Sequence, residues 1–182
     1  MRLSNEEFDE IIRSKTGIVR TIGREVYACP IFEKGWQQVH HKGTTVAIHS
    51  EHVAVIALWL AEHTKKPVNE HDLVLGALCH DLGIIDRHEK FKSQMETFTR
   101  HPKDSVVIAR ALLGDKFNPT IEDMIRYHMW PLTRIMPKTV EGRIIVMADK
   151  ICSAQETGKR MDIREKVFDK IMKTIEKAEH IR

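Results

Sequence analysis

Polar residues stand on the apolar faces of several helices in this 182-residue chain, and that placement restricts the fold more than any other feature. His49 shares a stripe with Val53, Ile56 and Leu60, at the spacing of a buried helix face. His80 and Asp81 continue the run Leu73, Val74, Ala77 and Leu78. His128 follows Ile121, Met124 and Ile125, and Asp149 lies among Ile144, Ile145, Ala148 and Ile151. Taken singly, each has a bland explanation: a hydrogen-bonded core histidine for His49 or His128, a partner of Lys150 or an arginine for Asp149, a helix cap for His80-Asp81. Together they require four coincidences on four helices. Burying unpaired carboxylates costs several kcal/mol each, so the fold must neutralise them, and a divalent cation held by imidazoles and carboxylates does so.

The pattern elsewhere is helical, and no segment shows sustained strand alternation. Ser4 with Glu7 forms a capping box opening a first helix over 4–16, which Gly17 is expected to end; the stretch from Thr16 to Tyr27 is open to a short strand or an irregular connection. Thr44 or Thr45 starts the helix of His49, and Asn69 caps the next, which Gly83 stops. Pro102 suits a first helical position with His101 as its cap, and Thr120 with Asp123 opens another helix. A further helix begins near Thr139, and a last one, 163–181, repeats Ile163, Val167, Ile171 and Ile175 every four residues. The expected architecture is an all-α, single-domain bundle over 1–182, with its core about 43–156 and the two terminal helices packed on it.

The ordered set of His49, then LCHDLG at 78–83, then Asp149 within VMADK at 146–150, resembles the HD superfamily of metal-dependent phosphohydrolases, named for its His-Asp doublet. HDLG here is a close variant of the HDIG form. The strings HMWPLT and ADKICS are similar to those of small stand-alone bacterial HD proteins. The resemblance implies that His49, His80, Asp81 and Asp149 are ligands of one metal. It further implies that Asp81 bridges to a second metal held by His101 and His128. It also implies hydrolysis of a phosphomonoester or phosphodiester, of a nucleotide or dinucleotide, by metal-activated hydroxide. Asp81 and Lys150 are the candidate catalytic residues, Lys150 being the best placed of the basic residues near the motif, which also include Arg87, Lys103 and Arg134. Mixed nitrogen and oxygen ligands favour iron or manganese, with cobalt, nickel, zinc and magnesium as alternatives. The alternative function is a metal-binding HD module that signals or binds without turnover.

His128 is followed by Met129 and no GYP tripeptide occurs, which argues against cyclic di-GMP as substrate. His40, His41, His52 and His63 fall outside the ligand pattern, and His52 reads as a surface or outer-shell residue. His71, His88 and His180 read as solvated. Asp86 is a candidate general acid or outer-shell carboxylate, in a polar segment, 86–100, that suits a lid or a solvated connection. The 29 basic and 26 acidic residues are interleaved, so no basic face for nucleic acid is present. The longest apolar run, Val53 to Ala61, is too short to span a membrane. Three scattered cysteines and an acidic N-terminal segment point to a reduced, cytoplasmic protein. The expected partner is a phosphorylated small molecule, and the amphipathic terminal helices serve a homodimer as readily as a monomer.

Overall fold

The computed structural model describes residues 3–41 and 43–158; the expected helix 163–181 lies outside the described residues. The elements are α1 (Asn5–Ile22), α2 (Arg24–Tyr27), α3 (Pro30–Gly35), β1 (Val39–His41), β2 (Thr44–Thr45), α4 (Val46–Glu62), α5 (Glu70–Cys79), α6 (Arg87–Lys90), α7 (Gln94–Leu113), α8 (Pro119–Tyr127) and α9 (Val140–Thr157). Short 3-10 turns cover Leu82–Ile84 and Gly114–Lys116. The architecture is all-α; the antiparallel β1–β2 pair is a small hairpin beside the bundle.

Helix α4 is the axis of the fold. It is apolar on nearly every side, and α1, α5 and α9 sheathe it. Helix α8 closes the far side, packing on α5, α7 and α9. The core they share includes Val53, Ile56, Leu73, Leu78, Ile121, Met124 and Ile145, each fully buried. Burying one such side chain contributes about 1.5–3 kcal/mol. The carboxylate of Glu51 ties α1 to α4, accepting hydrogen bonds from Arg20 Nε (2.8 Å), Arg20 Nη2 (3.0 Å) and the Tyr27 hydroxyl (2.7 Å). No helix among the described residues is long and apolar enough to cross a membrane.

Local chemistry sets several helix boundaries differently from the sequence expectations. Helix α1 does not end at Gly17 but runs on to Ile22, and Thr16–Tyr27 is almost wholly helical. Burial of Val19 holds the extra turn, worth more than the roughly 1 kcal/mol that a helical glycine costs. Pro102 does not start a helix. Ser93 caps α7 eight residues earlier through Glu96 N (3.1 Å), so His101 and Pro102 lie inside α7 and residues 94–100 are helix rather than loop. Asn118, not Thr120, caps α8, leaving the Asp123 carboxylate free to accept from Lys138 N, Thr139 N and the Thr139 hydroxyl at 2.7–3.1 Å. That clamp docks the 131–139 loop and the start of α9.

Gly83 serves close packing rather than helix termination. Helix α5 has already ended at Cys79, and a Cβ on Gly83 would lie 2.3 Å from the His101 carbonyl oxygen and 2.6 Å from Ser105 N. Only a residue without a side chain lets the turn after the His-Asp doublet touch the α7 backbone. Gly17 is the opposite case, with nothing within 4 Å. In urea denaturation Gly83→Ala is therefore expected to cost about 3 kcal/mol, because backbone atoms cannot yield. Gly17→Ala is expected to stabilise by about 0.5–1 kcal/mol. Equal effects at the two positions would contradict this packing account.

Candidate metal centre

Five helices deliver the site. His49 comes from the first turn of α4, His80 and Asp81 from the end of α5, His101 from the middle of α7, His128 from the end of α8 and Asp149 from the middle of α9. All six side chains are buried. His49, His80 and Asp81 form one group of converging ligand atoms, and Asp81, His101 and His128 form a second, with every atom of a group within 4.8 Å of the others. Asp149 joins through His49, its Oδ1 lying 3.2 Å from His49 Nε2.

The imidazole tautomers decide what this cluster can hold. Nδ1 of His80 bonds the Ala77 carbonyl, Nδ1 of His101 the Thr97 carbonyl and Nδ1 of His128 the Ile125 carbonyl, each at 2.7 Å. A carbonyl only accepts, so each Nδ1 carries a proton and Nε2 is the ring atom turned inward, a lone pair whenever the ring is neutral. The Nε2 atoms of His101 and His128 then face one another at 3.0 Å. Both also face Asp81 Oδ1, at 3.2 and 3.4 Å. Asp81 Oδ1 and His80 Nε2 are nonetheless buried without a hydrogen-bond partner. With the rings neutral, these inward acceptors repel one another, and a cation at their common focus removes the conflict. The buried cluster fits a divalent metal site.

Asp81 divides its two oxygens. Oδ1 faces His101 and His128; Oδ2 lies 3.4 Å from Nε2 of His80. Burial opposes its ionisation, but the surrounding imidazoles, His80 foremost, hold its carboxyl well below the usual range. Burial likewise opposes ionisation of Asp149, and Lys150 and His49 hold it low. Burial foremost, with His80 and His101 beside it, brings His128 down to about 4 against the pull of Asp81, so its ring stays neutral near pH 7.

Three residues that the sequence pattern passed over surround this set. Glu156 accepts from Nδ1 of His49 at 2.8 Å and from Nδ1 of His52 at 3.0 Å. It stands seven residues after Asp149, two turns along the same face of α9, and that spacing was the available signal. His40 and His41 arrive from β1, with ring centroids 4.5 and 5.3 Å from that of His49. The Lys150 ammonium folds back onto Asp149 Oδ2 at 3.2 Å, and its side chain is partly exposed. Ser153 donates to Asp149 Oδ1 and meets His41 Nε2. Among the other candidates, Asp86 turns to Lys34 on the surface and Arg87 reaches the His40 carbonyl. Lys103, Arg134, His63, His71 and His88 are exposed.

The family model for the HD domain matches residues 46–154, more than half of the chain. No curated protein and no solved structure matches it.

The His49–Glu156 pair makes the stability of metal-stripped protein depend on pH. Burial opposes charge on both, but their mutual hydrogen bond and that of His49 with Asp149 prevail; His49 is raised from 6.5 to about 10 and Glu156 is lowered from 4.5 to about 2. A raised histidine contributes fully below pH 6.5 and loses its contribution as pH climbs through 10. A lowered carboxylate contributes fully above pH 4.5 and loses it as pH falls through 2. Chemical denaturation across pH should show maximal stability from this pair between about 4.5 and 6.5, and Glu156→Gln should flatten both limbs. In the metal-loaded protein Glu156→Gln, by freeing the His49 ring, should weaken metal affinity about 10–100-fold. An unchanged affinity would remove Glu156 from the site.

Proposed function

Because this chain belongs to the HD superfamily of metal-dependent phosphohydrolases, we propose that it hydrolyses a phosphomonoester or phosphodiester bond of a nucleotide or dinucleotide at the buried His/Asp centre. The observation that carries the proposal is the set of Nε2 atoms of His80, His101 and His128 converging on the buried Asp81 carboxylate, each ring's Nδ1 being tied to a backbone carbonyl. His49, His80, Asp81 and Asp149 would hold one cation and His101 with His128 a second, Asp81 standing between them. Divalent cations bound there lower the pKa of water towards neutrality and offset charge on phosphoryl oxygens. The mixed imidazole and carboxylate set favours iron or manganese over magnesium.

The chain's own groups prepare that chemistry. The Ala77, Thr97 and Ile125 carbonyls fix the three rings, so the ligand atoms are aimed before anything binds. Glu156 does the same for His49. Lys150 reaches the edge of the centre from α9, and its ammonium, paired with Asp149 in the free chain, is the cation that meets a phosphoryl oxygen of the substrate. A small phosphorylated molecule is the partner that the interleaved surface charge suits, with no nucleic acid and no membrane. A cytoplasmic setting and a homodimer complete the proposal.

The test is elemental analysis of purified protein beside Asp81→Ala, with a generic phosphate ester and a nucleotide panel assayed on both. Two metals per chain and hydrolysis, both lost in the variant, are expected. One metal would take His101 and His128 out of the ligand set, and none after reconstitution would end the reading. Metal without turnover on any ester would make the chain a binding module. Lys150→Ala is expected to raise KM for the active ester about tenfold, the loss of roughly 1.4 kcal/mol of phosphate contact.

A further inference from the structure

The two oxygens of Asp81 are provided for symmetrically. Oδ1 lies 3.2 Å from His101 Nε2 and 3.4 Å from His128 Nε2. Oδ2 lies 3.4 Å from His80 Nε2 and 3.4 Å from His40 Nε2. His40 thus occupies, on the His80 side of the carboxylate, the place that one of the His101–His128 pair occupies on the other. One ring nitrogen of His40, with ligand atoms of His41 and His49, also falls in a group spanning no more than 4.8 Å.

A hairpin irregularity aims it there. In β1, Val39 pairs with Thr45 and His41 with Thr44, so two steps along one strand match a single step along the other and His40 is the extra residue. In a regular strand adjacent side chains point to opposite faces. Here the rings of His40 and His41 lie together, centroids 3.9 Å apart, both on the side of His49. A bulge that re-aims a side chain beside an active site is a recurrent device. The His40 side chain is 8% exposed, and its Nδ1 is buried with no hydrogen-bond partner. A buried imidazole held only by its position has the makings of a ligand.

We propose that His40 is a further ligand of the cation held by His49, His80, Asp81 and Asp149, delivered by the bulged hairpin from outside the HD-matched region. His41 is its positioning residue, packed against the His40 ring and anchored through Ser153, whose hydroxyl donates to Asp149. One metal site is thereby assembled from the helical bundle and the hairpin together.

This inference rests on the metal centre described above, and the test separates the two. Metal-stripped protein is titrated with Co²⁺ against a chromophoric chelator, and its visible d–d spectrum is recorded. Wild type, His40→Ala, His40→Gln, His41→Ala and the exposed control His88→Ala are compared, with thermal melts in chelator to verify folding. His40→Ala and His40→Gln are expected to weaken one Co²⁺ site about 10–100-fold and to change its d–d bands, while the melting temperature in chelator stays at the wild-type value. His41→Ala is expected to weaken the same site less, with the His40 nitrogen still coordinated and the band positions kept, and His88→Ala to change nothing. Wild-type affinity and spectrum in both His40 variants would overturn the assignment while leaving the centre intact. Failure of the wild type to bind Co²⁺ would overturn the centre and the assignment with it.

Discussion

One buried carboxylate, Asp81, organises this molecule. Among the described residues no lysine or arginine pairs with it; its neighbours are four imidazole nitrogens on two sides. A charge so placed is tolerable only where the surrounding dipoles and a cation offset its lost hydration. The helices that carry those imidazoles are drawn to one point, and much of the packing follows. The end of α5, the middle of α7 and the end of α8 meet where their histidines do, and the turn at Gly83 has to touch the α7 backbone to let His101 approach Asp81.

The backbone contributes as much as the side chains. Three of the histidines sit where a helical carbonyl is within reach of Nδ1: Ala77 and Ile125 three residues earlier, Thr97 four residues earlier. For His80 and His128 these are last-turn carbonyls, which lack a partner within the helix. The same contact satisfies the helix end and fixes the tautomer. His101 reaches the Thr97 carbonyl in mid-helix, four residues earlier, whereas the N–H missing at Pro102 frees the Phe98 carbonyl instead. Outer-shell orientation thus comes from ordinary helix chemistry, at no cost in extra polar side chains.

Helix α9 adds the remaining control. Asp149, Ser153 and Glu156 follow one face at intervals of four and three, so one helix presents a ligand-type carboxylate, a hydroxyl bridging to the hairpin and a carboxylate that holds His49. Lys150, one residue round from Asp149, places its charge at the rim. Arg20, Tyr27 and Glu51, although buried in part and strongly coupled, belong to the α1–α4 joint and stand apart from this chemistry.

Periodicity alone made the helical class legible, together with the polar residues that share a buried face, because a 3.6-residue repeat forces His49, Asp81, His128 and Asp149 towards the core. The ordered doublet added the family. Boundaries were less legible where two local signals competed: Val19 outweighed Gly17, Ser93 pre-empted Pro102, and Asn118 left Asp123 to another task. His40 and His41 carried no readable pattern, since a bulge in a three-residue strand reverses the alternation that would have set their facing. What the amino-acid order determined by itself was which side chains go inside, a matter of local period. Which oxygen of Asp81 the distant histidines meet and that a hairpin joins the centre were decided only by tertiary structure, because those contacts link residues from about 20 to more than 100 positions apart.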